Sequence, residues 1–157
     1  MFSGKTSELL RRYKRSVVSG VPVLLIKYAG DTRYSDSGVS THDGDMNKAD
    51  VIGRNLMDAW PHVMEFLKGA GTPVVYIDEI QFFNDKLEFC DRASRLGIEV
   101  HAAGLSSDYL RKPFPQMGEL MALAYSVVYL HAVCYYCKCD RACYSLKYVA
   151  SGVGQED

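Results

Sequence analysis

Short β-branched and aromatic runs alternate along the chain with stretches whose apolar positions recur at helical spacing, and Gly or Pro stands at most of the joins. After Thr6, the positions Leu9, Leu10, Tyr13, Val17 and Val18 form one such stripe, with Arg11, Arg12, Lys14 and Arg15 mostly between them. The pattern predicts a helix that Gly20 stops, with the basic cluster as its solvated face. Pro22-Val23-Leu24-Leu25-Ile26 predicts a buried strand. Ala29 to about Asn47 is polar and turn-rich, a long loop of the kind that is functional or disordered, with His42 expected on its surface. A helix is expected over Asn55 to Lys68, where Pro61 is tolerated only near the first turn or at a kink. Gly69-Ala70-Gly71 closes it. Val74-Val75-Tyr76-Ile77 then reads as a buried parallel strand, ending in Asp78 and Glu79. Asn84 to Leu96 predicts an amphipathic helix with the stripe Leu87, Phe89, Cys90, Ala93 and Leu96, which makes Cys90 a packing residue. Gly97 stops it, and Ile98 to Leu105 predicts the next strand. A loop punctuated by Pro113 and Pro115, a short helix over Leu120 to Leu123 and a last apolar strand over Ser126 to Val133 complete the pattern. Alternation of this kind specifies an α/β domain with a mostly parallel sheet and flanking helices.

Bulk properties narrow the class. The 157 residues fit one domain with a sizeable core, 48% of them are hydrophobic, and the net charge is −1. That charge gives no electrostatic reason to expect nucleic acid as a partner. No apolar run approaches a membrane span and no signal-peptide pattern is visible. Of five cysteines, four fall between Cys134 and Cys143, which favours metal binding in a reducing compartment over a disulfide framework. A cytoplasmic enzyme is the expectation.

Two fragments carry chemistry. Met1-Phe2-Ser3-Gly4-Lys5-Thr6 is the distal half of a phosphate-binding loop. Glycine lets backbone N–H groups approach phosphate, the lysine meets the terminal phosphates, and the threonine hydroxyl reaches Mg²⁺. The first glycine of that pattern and its feeding strand would precede Met1, so the chain is expected to be trimmed at its front. The second fragment is the Asp78-Glu79 strand end, at the sheet edge where ligands bind in open α/β folds. Together they form the core pair of a P-loop, RecA-like domain, with Asp78 assigned to the metal and Glu79 to a proton. Glu79 could serve a water, giving an ATPase, or an acceptor hydroxyl, giving a kinase. Asp31-Thr32-Arg33, directly after a strand, is either a solvated salt pair or an arginine aimed at phosphate. Cys134-Tyr135-Tyr136-Cys137 has the gap that brings two thiolates to one tetrahedral Zn²⁺. Three alternatives stay open: half of a zinc ribbon completed beyond Asp157, a local site using Cys139 and Cys143, or no metal.

Six motifs in order resemble one family, the type II thymidine kinases, the cellular deoxythymidine kinases with a zinc lasso. They are Met-Phe-Ser-Gly-Lys-Thr at 1–6, Lys-Tyr-Ala-Gly-Asp-Thr-Arg-Tyr-Ser at 27–35 and Thr-His-Asp at 41–43. Asp-Glu-Ile-Gln-Phe-Phe at 78–83, Gly-Leu-Ser-Ser-Asp-Tyr-Leu-Arg-Lys-Pro-Phe at 104–114 and Ala-Val-Cys-Tyr-Tyr-Cys at 132–137 follow. The resemblance implies a P-loop kinase domain over 1–131 and the start of a zinc-binding lasso subdomain over 132–157. It implies that ATP phosphates meet Ser3, Gly4, Lys5, Thr6, Asp31, Arg33, Asp78 and Gln81, with Mg²⁺ at Thr6 and Asp78. Glu79 would accept the 5′-hydroxyl proton of deoxythymidine. Met1, Phe82, Leu105 and Tyr109 would contact the nucleoside, and Cys134 and Cys137 would hold Zn²⁺. A homotetramer with feedback by dTTP belongs to the same set of implications. Three positions depart from the family: Ile80 replaces a glycine, Ser106 an aspartate, and Tyr109 a phenylalanine. The competing classes are an inactive nucleotide-binding module of the same fold, an ATPase, and a zinc-ribbon adaptor for nucleic acid.

Overall fold

The computed structural model describes residues 3–30, 38–40, 46–69, 71–143, 145 and 147. Helix α1, Lys5–Val18, buries Leu9 and Leu10 as the stripe requires, whereas Val17 and Val18 at its end are exposed, contrary to expectation. Its basic face is solvated as expected. Arg11 and Arg12 both pair with Glu8, at 2.6 and 2.8 Å, holding the Glu8 carboxyl well below the usual carboxylate range. Strand β1, Val23–Tyr28, continues two residues past the apolar run.

Within the stretch read as a loop, the described residues hold two short strands, β2 (Gly38–Ser40) and β3 (Met46–Lys48), paired antiparallel. Strand β4, Val51–Gly53, lies parallel to β1 with Ile26 opposite Val51. Neither the hairpin nor β4 is legible from periodicity, because three residues are too few to show it. A 3-10 turn, Leu56–Ala59, leads into α2, Trp60–Gly69. Pro61 therefore falls in the first turn, where its missing N–H costs nothing. The Asp85 carboxylate accepts the Leu56 and Met57 N–H groups at 3.0 and 2.9 Å, satisfying donors that the start of the turn leaves open.

Strand β5, Val74–Ile77, is followed by a 3-10 turn over Ile80–Phe82 and by α3, Lys86–Arg95. Strand β6, Glu99–Ala102, pairs with β5. Helix α4 is Met117–Leu123. The main sheet is parallel, in the order β4-β1-β5-β6.

Side chains alternate across β1 and β5 into two cores. Leu24, Ile26, Val75 and Ile77 join Leu56, Val63, Phe89 and Ala93 on the α2/α3 face. Leu25 and Tyr76 join Leu9, Leu10 and Val39 on the α1 face. Burial on both faces is why these strands read as unbroken apolar runs. Each fully buried aliphatic side chain contributes about 1.5–3 kcal/mol.

Three further expectations are corrected. Ser126 to Val133 is not a strand: β6 is an edge of the described sheet, and this segment runs exposed without pairing to it. Apolar sequence forms a strand only where a neighbouring ladder accepts its backbone bonds. The strand expected to reach Leu105 ends at Ala102: Ala103 N–H still donates to Ile77 O, but Ala103 C=O accepts from Ile80, past the end of β5. Leu96 is exposed, and the aliphatic stem of Lys86 takes a core place on α3 that the stripe had not allotted. Cys90, as expected, packs against the α2/α3 core.

Candidate active site

Gly4 enters α1 in the left-handed region (φ 74°), a backbone state that glycine reaches without strain. The first turn of α1 leaves backbone N–H groups free of helical partners, a ready site for an anion. Ser3, Lys5 and Thr6 are half-buried there. Thr6 Oγ1 lies 3.3 and 3.2 Å from the two Asp78 oxygens. A contact across 72 positions of sequence thus joins the two fragments singled out for chemistry. Asp78 extends the β5 ladder by donating its N–H to Ile26 O at 3.1 Å, which fixes where its side chain leaves the sheet.

Glu79 departs in the other direction. Its backbone is left-handed (φ 53°, ψ 43°), which costs a non-glycine residue about 1–2 kcal/mol. Neighbouring bonds hold it: its N–H donates to Asp78 Oδ1 at 3.1 Å, Phe82 N–H donates to Glu79 O at 3.1 Å, and Ile80 N–H donates to Ala103 O at 3.0 Å. The Gln81 amide donates to the Glu79 carboxylate, and Gln81 Oε1 accepts Leu105 N–H at 3.0 Å. Adjacent acids therefore serve opposite sides, Asp78 toward the glycine loop and Glu79 toward the loop that follows β6.

That second loop is built around Asp108. Its Oδ1 accepts the Leu110 and Lys112 N–H groups at 2.8 Å each, and its backbone N–H donates to Lys112 O at 2.9 Å. Ser107 bridges Pro113, and Phe114 N–H donates to Ser106 O at 3.0 Å. Lys86, at the start of α3, donates from Nζ to Pro115 O at 3.1 Å. Burial lowers the pKa of that ammonium. The Phe82 ring is part-exposed and packs on Tyr28 (5.3 Å between centroids) and edge-on to Phe114 (5.9 Å). Leu105 is half-buried and Tyr109 exposed.

The structure thus brings together Thr6 with Asp78, and Glu79 with Gln81 and Leu105. Phe82 stands beside them with two aromatic partners, Tyr28 and Phe114, that the sequence had not marked. Asp108 and Lys86 were also missed as loop anchors. An aspartate two residues before a turn carries an Asx-turn signal, whereas a buried lysine carries none. Met1, Asp31, Arg33 and the Thr41-His42-Asp43 motif lie outside the described residues.

The hard oxygens of Thr6 and Asp78, converging from separate elements, suit Mg²⁺. The cysteines sit on a hairpin whose sides meet at the Ala132–Ala142 bridge. Lys138 turns it with φ 59°, donating its N–H to Cys134 O at 3.0 Å while Cys134 N–H donates to Cys139 O at 2.7 Å. The thiols in contact are Cys137 and Cys139, 3.3 Å apart. Among the described residues no three His, Cys, Asp or Glu side chains are grouped to hold a metal. Two thiolates at Cys134 and Cys137 remain chemically suited to half of a zinc site.

A glycine-entered helix whose first turn meets the acid-ended central strand of a parallel sheet defines a P-loop nucleotide-binding domain. The family model described as thymidine kinase matches residues 1–155, and the chain belongs to the thymidine kinase family. The cytosolic thymidine kinases of Gallus gallus and Homo sapiens are each 43% identical over 140 residues, 87% of this chain and 58% and 55% of theirs. The thymidine kinase of fowlpox virus is 39% identical over 145 residues, 90% of this chain and 76% of the viral protein. The chain spans a little over half the length of the first two relatives.

Proposed function

We propose that the protein transfers the γ-phosphoryl group of ATP to the 5′-hydroxyl of deoxythymidine. One observation carries this: Asp78 meets the phosphate-loop threonine while the adjacent Glu79 turns toward the Leu105–Phe114 loop. The names of the similar proteins supply the nucleoside.

Ser3, Gly4, Lys5 and Thr6 hold the phosphates, and Asp31 and Arg33 are assigned to the same group, whereas the Gln81 amide is committed to Glu79 and Leu105. The nucleoside lies against Phe82, Leu105 and Tyr109, and Met1 is assigned to it by the family resemblance. Glu79 takes the proton of the 5′-hydroxyl as that oxygen bonds to the γ-phosphorus and the bond to the β-phosphate oxygen breaks, leaving ADP. Such transfer asks for orientation and charge neutralisation more than covalent chemistry. Thr6 and Asp78 would hold Mg²⁺, which when bound neutralises charge on the phosphates. Cys134 and Cys137 would give two ligands to a structural Zn²⁺ in the region 132–157. The same proposal extends to a cytoplasmic homotetramer under feedback by dTTP. It includes neither nucleic acid nor membrane as a partner. Among the described residues no helix is long and apolar enough to cross a membrane.

Deoxythymidine-dependent release of ADP by the intact protein is the direct test. Replacing the proton acceptor, Glu79→Gln, is expected to lower kcat at least about a hundredfold, the scale of a positioned base. A variant that kept near-full turnover would remove Glu79 from the chemistry. ADP release indifferent to the nucleoside would point to an ATPase instead.

A further inference from the structure

Gln81 is buried, 4% exposed, and each end of its amide is committed. A backbone N–H can only donate, so Leu105 N–H, 3.0 Å away, fixes Oε1 on its own side. The NH₂ group is thereby forced toward the Glu79 carboxylate, to which it donates. Space for this arrangement comes from Gly104. A Cβ there would stand 2.7 Å from Gln81 Oε1 and 2.9 Å from Ile80 Cγ2, closer than atoms pack without displacement. Leu105 opens the loop that Asp108 and Lys86 brace from its far side. One side chain therefore links that braced loop to an acid whose own backbone is left-handed.

Building on the phosphoryl-transfer proposal, we infer that Gln81 is a positioning residue that ties the Glu79 carboxylate to the start of the nucleoside-side loop. Its amide sets where the base stands relative to the loop walling the substrate. Gln81 need not touch the nucleoside or the triphosphate to do so. The two bonds have separable consequences. The donor half orients the base and acts on kcat; the acceptor half holds Leu105 and acts on nucleoside KM.

Two variants separate these halves in the intact protein. Gln81→Met removes both bonds, while Gln81→Glu, assayed at a pH where the new carboxyl is ionised, keeps an acceptor for Leu105 N–H and loses the donor. Both are expected to lower kcat at least about tenfold, as small misplacements of a reacting group do, with KM for ATP unchanged. Nucleoside KM is expected to rise in Gln81→Met and to stay put in Gln81→Glu. In a Glu79→Gln background, adding Gln81→Met should cost no further kcat, because its effect runs through the carboxylate. A full extra loss there, or wild-type kcat in Gln81→Glu, would overturn the positioning role. Should Gln81→Met fail to fold, Gln81→Glu decides alone. Wild-type protein without nucleoside-dependent ADP release, or an undiminished Glu79→Gln variant, would overturn the phosphoryl-transfer proposal and this role with it. A Glu79→Gln loss alongside unaffected Gln81 variants would overturn this role only.

Discussion

Burial pushes the Cys90 thiol up to about 11 from its ordinary value of 9.0, while Cys137 and Cys143 stand exposed on the C-terminal hairpin. Because the folded state holds the Cys90 proton longer than the unfolded chain does, stability linked to this group is intact below pH 9. It falls as pH rises from 9 through about 11. The loss is on the order of 2 kcal/mol once both states are ionised. Urea unfolding of wild type and Cys90→Ala at pH 8, 10 and 11 should show the difference closing in that window. Comparing the pair cancels the part of the Lys86 contribution that does not depend on Cys90; the buried ammonium of Lys86 pushes stability the opposite way with pH. Iodoacetamide at pH 8 should label Cys137 and Cys143 in the metal-free protein and spare Cys90, read by peptide mass spectrometry. The amphipathic stripe predicted the inert character of Cys90. The Glu79–Gln81–Leu105 link could not be predicted that way, since neither a glutamine two residues past an acid nor a loop amide has a periodic signature.

Within the loop from Leu105 to Phe114, Asp108 does for the backbone what a helix cap does at a helix end. Its carboxylate takes two N–H groups that the tight turn leaves without strand or helix partners. Asp108→Ala should release the loop while sparing both cores, because no core residue contacts depend on it. Loss of these bonds is worth about 1–2 kcal/mol of loop order, or about a 5–30-fold rise in nucleoside KM. Steady-state kinetics would register this with KM for ATP unmoved. Asp108→Asn, which keeps one acceptor oxygen, should fall between. An unchanged nucleoside KM in Asp108→Ala would take this loop out of the nucleoside site. The element itself was legible as a proline-punctuated loop after a strand, but the residue that shapes it was not.

Across the whole molecule, burial divides the chain unevenly. The two cores sandwich β1 and β5, whereas none of residues 124–143 is fully buried. A hairpin without a core of its own needs a staple, and a structural metal is the usual one for so small a unit. The intact protein is therefore expected to carry about one Zn²⁺ per chain, a structural site of the usual kind, measured by elemental analysis and lost in Cys134→Ser. Chelation should raise amide exchange over 132–143 and leave β1 and β5 protected. Equal deprotection of the central strands would mean that the metal supports the whole domain.

The helices α1, α2 and α3, the strands β1, β5 and β6 and the candidate chemistry at Lys5-Thr6 and Asp78-Glu79 were carried by local patterning. Period and turn residues act over a few neighbours, so they survive in one dimension. Two other features needed three dimensions. Whether Ser126 to Val133 becomes a strand depends on a partner ladder, and β4 exists because β1 offers it an edge. The division of labour between adjacent acids is of the same kind. Asp78 and Glu79 are equivalent as letters, and only the left-handed turn at Glu79, Thr6 arriving from α1 and Gln81 anchored on Leu105 send their carboxylates to opposite sides.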